Sequence, residues 1–248
     1  MTVEEMHYDF KLKFNKLDSQ DYQNFQVPEI DWILNEAQWV FLKQRYGLTN
    51  PKQTGFEGSQ KRIDDLRNLV VRGTSLAGSA SVSAPMSVKA SLPTDYMFML
   101  RVEAVALKLT CGQKNLTCRV TQHDDLSNTL SDPYYTPSYE WGEIPIVFGT
   151  ETSAAVDADT MFGYHDGSFS IINYLLDYLR TPKRIAFPSG VTGGSYNYPG
   201  AVAVAANQDC ELAEHTHNEI VDLAVQIAAG DVEHPGLQIK MAKTAMFE

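Results

Sequence analysis

The stretch Val27 to Gly47, VPEIDWILNEAQWVFLKQRYG, constrains this chain more than any other. Pro28 suits the first turn of a helix, where its fixed φ is already helical and its missing N–H is not needed. Glu29 and Asp31 put negative charge at the start, and Lys43 and Arg45 positive charge at the end, both favoured by the helix dipole. Gly47 is the residue type expected just past the last turn. Ile30, Ile33, Leu34, Ala37, Val40 and Phe41 recur at i, i+3, i+4 and i+7 and form one apolar face. Trp32 and Trp39, seven residues apart, draw an aromatic stripe beside it. A helix apolar on two sides needs two neighbours to cover it. It is either a central core helix or one that also packs on another copy of the chain. Trp32, Trp39 and Phe41 are therefore interface candidates.

The rest of the chain reads as α+β. Residues 1–72 form a helical docking layer, 73–212 a central antiparallel β-rich body with long loops, and 213–248 a C-terminal helix and tail. Thr2 caps a helix over 2–18, with Glu5 at the capping-box position and Met6, Phe10, Phe14 and Leu17 on one face. Ser59 caps a further helix carrying Ile63, Leu66, Leu69 and Val70. Residues 74–92, rich in Ser, Ala and Gly, read as a long loop or β-arm. DYMFMLRVEAVALKLTC reads as a strand, with a hairpin at Gly112 to Asn115 and a return strand that brings Cys118 near Cys111. Three prolines in DPYYTPSYEWGEIP argue against a regular central strand, while Tyr134, Tyr135, Tyr139 and Trp141 offer adhesive surface. Pro182 bends the chain at a basic corner, Arg180, Lys183 and Arg184, suited to clamping an acidic neighbour or a phosphate. Thr216, with Glu219 three residues on, opens a last helix that Gly230 ends, and the tail finishes in the amphipathic KMAKTAMF.

Charge narrows the function. The formal net charge is −11, yet residues 1–72 hold 11 acidic and 10 basic side chains against 20 and 10 in 73–248. No Lys or Arg lies between Val120 and Leu179, where there are ten acids, or between Ile185 and Ile239, where there are seven. Such a surface repels a duplex rather than gripping it. It is either a solvated acidic face or one past which DNA slides without sticking. No apolar run is long enough to cross a bilayer, and the acidic, amphipathic N-terminus lacks a signal's apolar core. Three cysteines make no disulfide framework and fit a reducing compartment.

Catalytic signatures are missing. There is no G-x-S-x-G, Walker loop or dinucleotide fingerprint, and no cofactor is implied. Cys111 and Cys118 lack zinc-site spacing, and His215 and His217 straddle a helix start, unlike H-E-x-x-H. His123-Asp124-Asp125 fits a turn as well as a carboxylate–histidine pair. A small metal-dependent hydrolase using either histidine region remains one alternative. A monomeric carbohydrate-binding β-module using Tyr134, Tyr135, Tyr139 and Trp141 is another.

Seven stretches share a familiar order and spacing: FKLKFNKLDS, EIDWILNEAQWVFLKQRYG, FEGSQKRIDDLRNLV, CRVTQHDDL, DPYYTPS, DYLRTPKRIAF and EIVDLAVQIAAG. As a set they resemble the virion ring proteins of crAss-like podoviruses that infect gut Bacteroidetes. More distantly they resemble the head–tail adaptor (tail tubular) proteins of short-tailed phages. The resemblance spans nearly the whole chain, except that residues 74–92 match no part of the pattern. It implies a non-enzymatic virion protein made in the host bacterial cytoplasm, with no membrane partner. Copies of the chain would form a ring of about twelve through head-to-tail contacts, following portal symmetry. The helical layer would dock on a portal or adjacent ring or tail protein, and the β-body would line the conduit for genomic DNA.

Overall fold

The structure is a computed structural model that describes residues 1–15, 25–46, 60–81, 86–140, 143–150, 159–197 and 203–232. It is α+β, with N-terminal helices, a central sheet of eight strands and a C-terminal helix. The chain forms two compact units. One combines Met1–Leu69 with Pro182–Glu248, and the other is Val70–Thr181. Both ends of the chain contribute to the first of these units.

In that unit, α1 (Val3–Asn15) starts with the expected capping box. The Glu5 amide donates to Thr2 Oγ1 at 3.3 Å and the Thr2 amide to Glu5 Oε2 at 2.8 Å. Such a cap contributes about 0.5–2 kcal/mol. Met6, Phe10 and Phe14 are buried while Leu12 faces out, as the helical spacing requires. The central helix α2 (Val27–Tyr46) packs against α5 (His217–Asp231). Its buried side is Ile30, Ile33, Leu34, Ala37, Phe41 and Leu42, each worth about 1.5–3 kcal/mol apart from the small Ala37. Lys13 ties α1 to α5 by bridging Asp9 at 2.6 Å and Asp222 at 2.9 Å. Burial alone lowers the Lys13 pKa, but the two carboxylates outweigh it and the net shift is upward. The short helix α3 (Gln60–Leu66) gives way to a 3₁₀ turn, Arg67–Leu69, so Val70 starts a strand instead of ending a helix. Gly47, Leu17 and Ser59 lie outside the described residues.

The second unit is a curled sheet of β1 (Val70–Ala77), β2 (Ser79–Ala80), β3 (Ser87–Ser91), β4 (Tyr96–Lys108), β5 (Gly112–Val120), β6 (Glu143–Thr150), β7 (Asp159–Tyr164) and β8 (Ser170–Arg180). The order is β1-β8-β4-β5-β6-β7-β3-β2, so its two ends are strands joined through Gly78 alone. Ala77 pairs with Asn173 of β8 and Ser79 with Lys89 of β3, and the sheet thereby closes on itself. Gly78 donates its N–H to Ile172 O at 2.9 Å, and a Cβ there would stand 2.8 Å from Val88 Cγ1. Only glycine fits that crossing. The segment 74–92, expected as loop or arm, is thus largely wall.

The sheet is mixed rather than wholly antiparallel, because β5 and β6 run parallel. Alternation sets the interior: Val102, Ala104 and Ala106 from β4 meet Tyr174, Leu176 and Tyr178 from β8. Pro145 does sit in the central strand β6, against the expectation from its neighbourhood. It is tolerated because β7 pairs with β6 only from Ile146 onward. The β4–β5 turn is Leu109–Cys111, three residues earlier than expected, and Lys108 faces Gly112. Cys111 in the turn is therefore separated from Cys118 by most of β5, about 20 Å of strand. A short helix α4 (Leu126–Ser131) lies in the crossover from β5 to β6, and β9 (Tyr196–Asn197) with β10 (Ala203–Val204) forms a small ribbon in the other unit.

Candidate interface surfaces

On α2, Trp32, Glu36 and Trp39 share the face opposite the buried side, at i, i+4 and i+7. Trp32 is 55% exposed and Trp39 38%, high values for the largest side chain in a folded unit. A length of backbone after Pro182 runs beside this face. Asn35 fixes it: its Nδ2 donates to Ile185 O at 2.8 Å and its Oδ1 accepts from Ile185 N at 2.9 Å. Trp32, Asn35, Glu36, Trp39 and Arg184 line the resulting groove of about 450 Å³.

A buried network centres on Asp31, the residue before Trp32 on α2. Asp31 is fully buried, accepts from the Phe187 amide at 3.0 Å and from the Tyr196 hydroxyl, and meets His7 Nε2 at 2.7 Å. The sequence places Asp31 in the first turn, where an acid reads as a dipole partner. Its position at i−3, i−7 and i−11 from buried Leu34, Gln38 and Leu42 was the available signal. A second network centres on Arg45. Its Nη2 donates to Glu219 at 2.5 Å and its Nε lies 3.0 Å from Asp65 Oδ2, off the axis of a hydrogen bond. His215 Nε2 meets the other Asp65 oxygen at 2.8 Å.

The remaining interface candidates separate. Phe41 is 1% exposed and its ring lies under the Arg45 guanidinium at 4.8 Å, so it faces the interior of its own unit. Lys183 turns to Glu211, with Nζ 3.0 Å from its carboxylate. Arg180 ends β8 opposite Tyr96. In the crossover, Tyr134 is 93% exposed and Tyr135 stacks under Arg119 at 5.3 Å. Tyr139 instead plugs the sheet's interior at 7% exposure, its hydroxyl donating to Gly112 O at 3.2 Å and Lys108 and Lys114 flanking its ring. Trp141 lies outside the described residues.

The histidines considered for catalysis are spread out. His123 bonds to Phe148 O at 2.8 Å, beside Asp124 and Asp125 in an exposed turn. His217 is buried against Leu212 O at 3.0 Å, and His215 is held by Asp65. Among the described residues no three His, Cys, Asp or Glu side chains gather as a metal site would require. Also among them, no helix is long and apolar enough to cross a membrane. Burial pushes the Cys118 thiol up to about 12 and the Cys210 thiol to about 11, while Cys111 is exposed. At pH 8 the Cys118 thiolate fraction is then on the order of one in ten thousand. Brief iodoacetamide treatment of the native chain is expected to give one fast adduct, at Cys111, by peptide mass mapping. Modification of Cys118 at a similar rate would show that β5 opens readily.

Fold and surface together define an α+β protein that, among the described residues, exposes aromatic side chains on helix faces and in a sheet crossover. The chain belongs to the phage tail ring protein 3/4 family, whose model matches residues 1–233. It is thus a structural phage protein of the virion tail. No curated protein matches its sequence.

Proposed function

We propose that this chain is a non-enzymatic subunit that assembles with copies of itself into a ring between portal and tail, with its inner surface lining the path of the genomic DNA. The observation that carries this reading is the groove of α2, where two exposed tryptophans flank a glutamate. Aromatic side chains in a shallow groove are the usual energetic centres of protein interfaces. Tyr134 and Tyr135 offer a second adhesive surface on the sheet unit, as head-to-tail assembly requires two different patches. A ring of about twelve copies follows if it keeps the symmetry of a portal. Portal, adjacent ring and tail proteins are the partners that fit.

The acids of the Lys/Arg-free stretch support the conduit role. Asp124, Asp125, Glu140, Glu143, Asp159 and Asp166 are all exposed. A wall of this charge lets phosphates pass without releasing counterions to bind them. The test is mass by light scattering, on the chain alone and mixed with the portal or a neighbouring ring protein. A ring-sized species is expected in at least one of these samples. Trp32→Ala with Trp39→Ala is expected to raise the concentration needed for assembly by tenfold or more while leaving the far-ultraviolet melting curve in place. A chain that stays monomeric beside every virion partner would overturn the ring.

A further inference from the structure

We infer that the groove of Trp32, Glu36, Trp39 and Arg184 is the seat for the C-terminal segment, residues 233–248, of a neighbouring copy, which clasps adjacent subunits of the ring. The inference rests on the ring reading above and names its contact. A head-to-tail ring needs a projecting element and a different receiving surface on every subunit. The groove is the receiving surface.

Polarity places the segment at the right end of the helical unit. Arg45 in the last turn of α2 holds Glu219 in the first turn of α5 at 2.5 Å, and the two helices pack along one another. They therefore run in opposite directions. From Arg45 back to Trp32 is about 20 Å, and from Glu219 on to Asp231 about 18 Å. The chain thus leaves α5 level with Trp32. The sixteen residues from Glu233 to Glu248 reach up to about 50 Å when extended, enough to cross to a copy in contact with this one.

Chemistry matches the segment to the groove. Lys240 and Lys243 are the only lysines or arginines after Arg184, and they supply the partner for Glu36. Met241 and Met246, with Phe247, bring flexible, polarizable side chains of the type that pack well on indole rings. Within one chain the same segment would cover its own groove and contribute nothing to assembly. Exchange between copies joins one subunit to the next.

The experiment uses the full chain under conditions where it assembles, alone or with an adjoining virion protein. Protomers carrying Met246→p-benzoylphenylalanine, half of them labelled with ¹⁵N, are mixed, assembled and irradiated. Adducts are expected between position 246 and the peptide bearing Trp32 or Trp39, with both isotopes in one adduct. Adducts confined to single-isotope pairs, or to a peptide elsewhere, overturn the clasp. In parallel, a chain ending at Val232 is expected to need tenfold more protein to assemble, and adding Trp32→Ala and Trp39→Ala to it is expected to cost nothing further. Additive losses overturn the clasp, with unchanged thermal unfolding as the check that each variant folds. A shortened chain that assembles as readily as the full one sinks the clasp and leaves the ring standing. A full chain that forms no ring-sized species, alone or with any virion protein, sinks both.

Discussion

Replacing Asp31 by alanine is expected to lower the stability of the helical unit by about 3–5 kcal/mol. The carboxylate has no exposed surface and stands at the meeting point of three chain segments. His7 reaches it from α1 at 2.7 Å, the Phe187 amide from the stretch after Pro182 at 3.0 Å, and the Tyr196 hydroxyl from β9. Alanine leaves those donors without an acceptor in a site water does not reach, and each unmet donor costs about 1–3 kcal/mol. The His7 ring is in a poor position to compensate, since its Nδ1 already lacks a partner. Asp31→Asn keeps the volume but turns one end of the group into a donor facing donors, so a smaller loss is expected. The stretch Phe187 belongs to also walls the groove, so the damage carries over to assembly. Urea unfolding followed by the helical far-ultraviolet signal measures the loss. A change below about 1 kcal/mol for Asp31→Ala would mean that water reaches the site and that the network is not a fastening.

Asp31 also shows where sequence reading stops. Local signals were legible: the Thr2–Glu5 box, the extent of α2 and its buried face all follow from spacing within one or two turns. The same Thr-x-x-Glu signal at Thr216 and Glu219 led elsewhere. Thr216 has helical backbone, φ −87° and ψ −14°, after a 3₁₀ turn, and its hydroxyl donates back to Ala213 O at 2.8 Å. A cap residue needs extended backbone to turn its oxygen toward the helix amides, so that role is closed to Thr216. Glu219 answers instead to Arg45 and Lys61, far away in sequence. The strands within 74–92 were hidden for a related reason. Their partners, β8 and β7, lie many tens of residues on, and small side chains carry no alternation strong enough to announce a wall. Of the surface candidates, residue type pointed to Trp32, Trp39 and Tyr134, which are accessible. It pointed equally to Phe41 and Tyr139, which are not. Aromaticity tells which residues are adhesive, and only the fold tells which way they face.

Inside the sheet, Tyr174 and Gly163 are expected to behave as one unit. Tyr174 is the largest fully buried side chain among the described residues, and its hydroxyl donates to Val88 O at 2.7 Å, tying β8 to β3 across the interior. The ring lies over Gly163, where a Cβ would sit 3.1 Å from two ring carbons and closer still to the hydroxyl oxygen. Gly163 has little freedom to retreat, because it pairs with Ile146 on one side and Val88 on the other. Tyr174→Ala is expected to cost about 3–5 kcal/mol through the cavity it leaves. Gly163→Ala is expected to cost about 1–3 kcal/mol through overpacking. Tyr174→Phe, which removes only the hydroxyl and its hydrogen bond to Val88 O, is expected to cost about 1 kcal/mol. The sharper expectation concerns the pair. Phenylalanine removes the atom nearest the added methyl, so Gly163→Ala is tolerated better beside Tyr174→Phe than alone, and the combined loss falls short of the sum. Urea unfolding with hydrogen exchange on the β3, β6 and β7 amides reads both effects. Strict additivity would mean that the sheet shifts to admit the methyl and that Gly163 is not held to its place by the tyrosine.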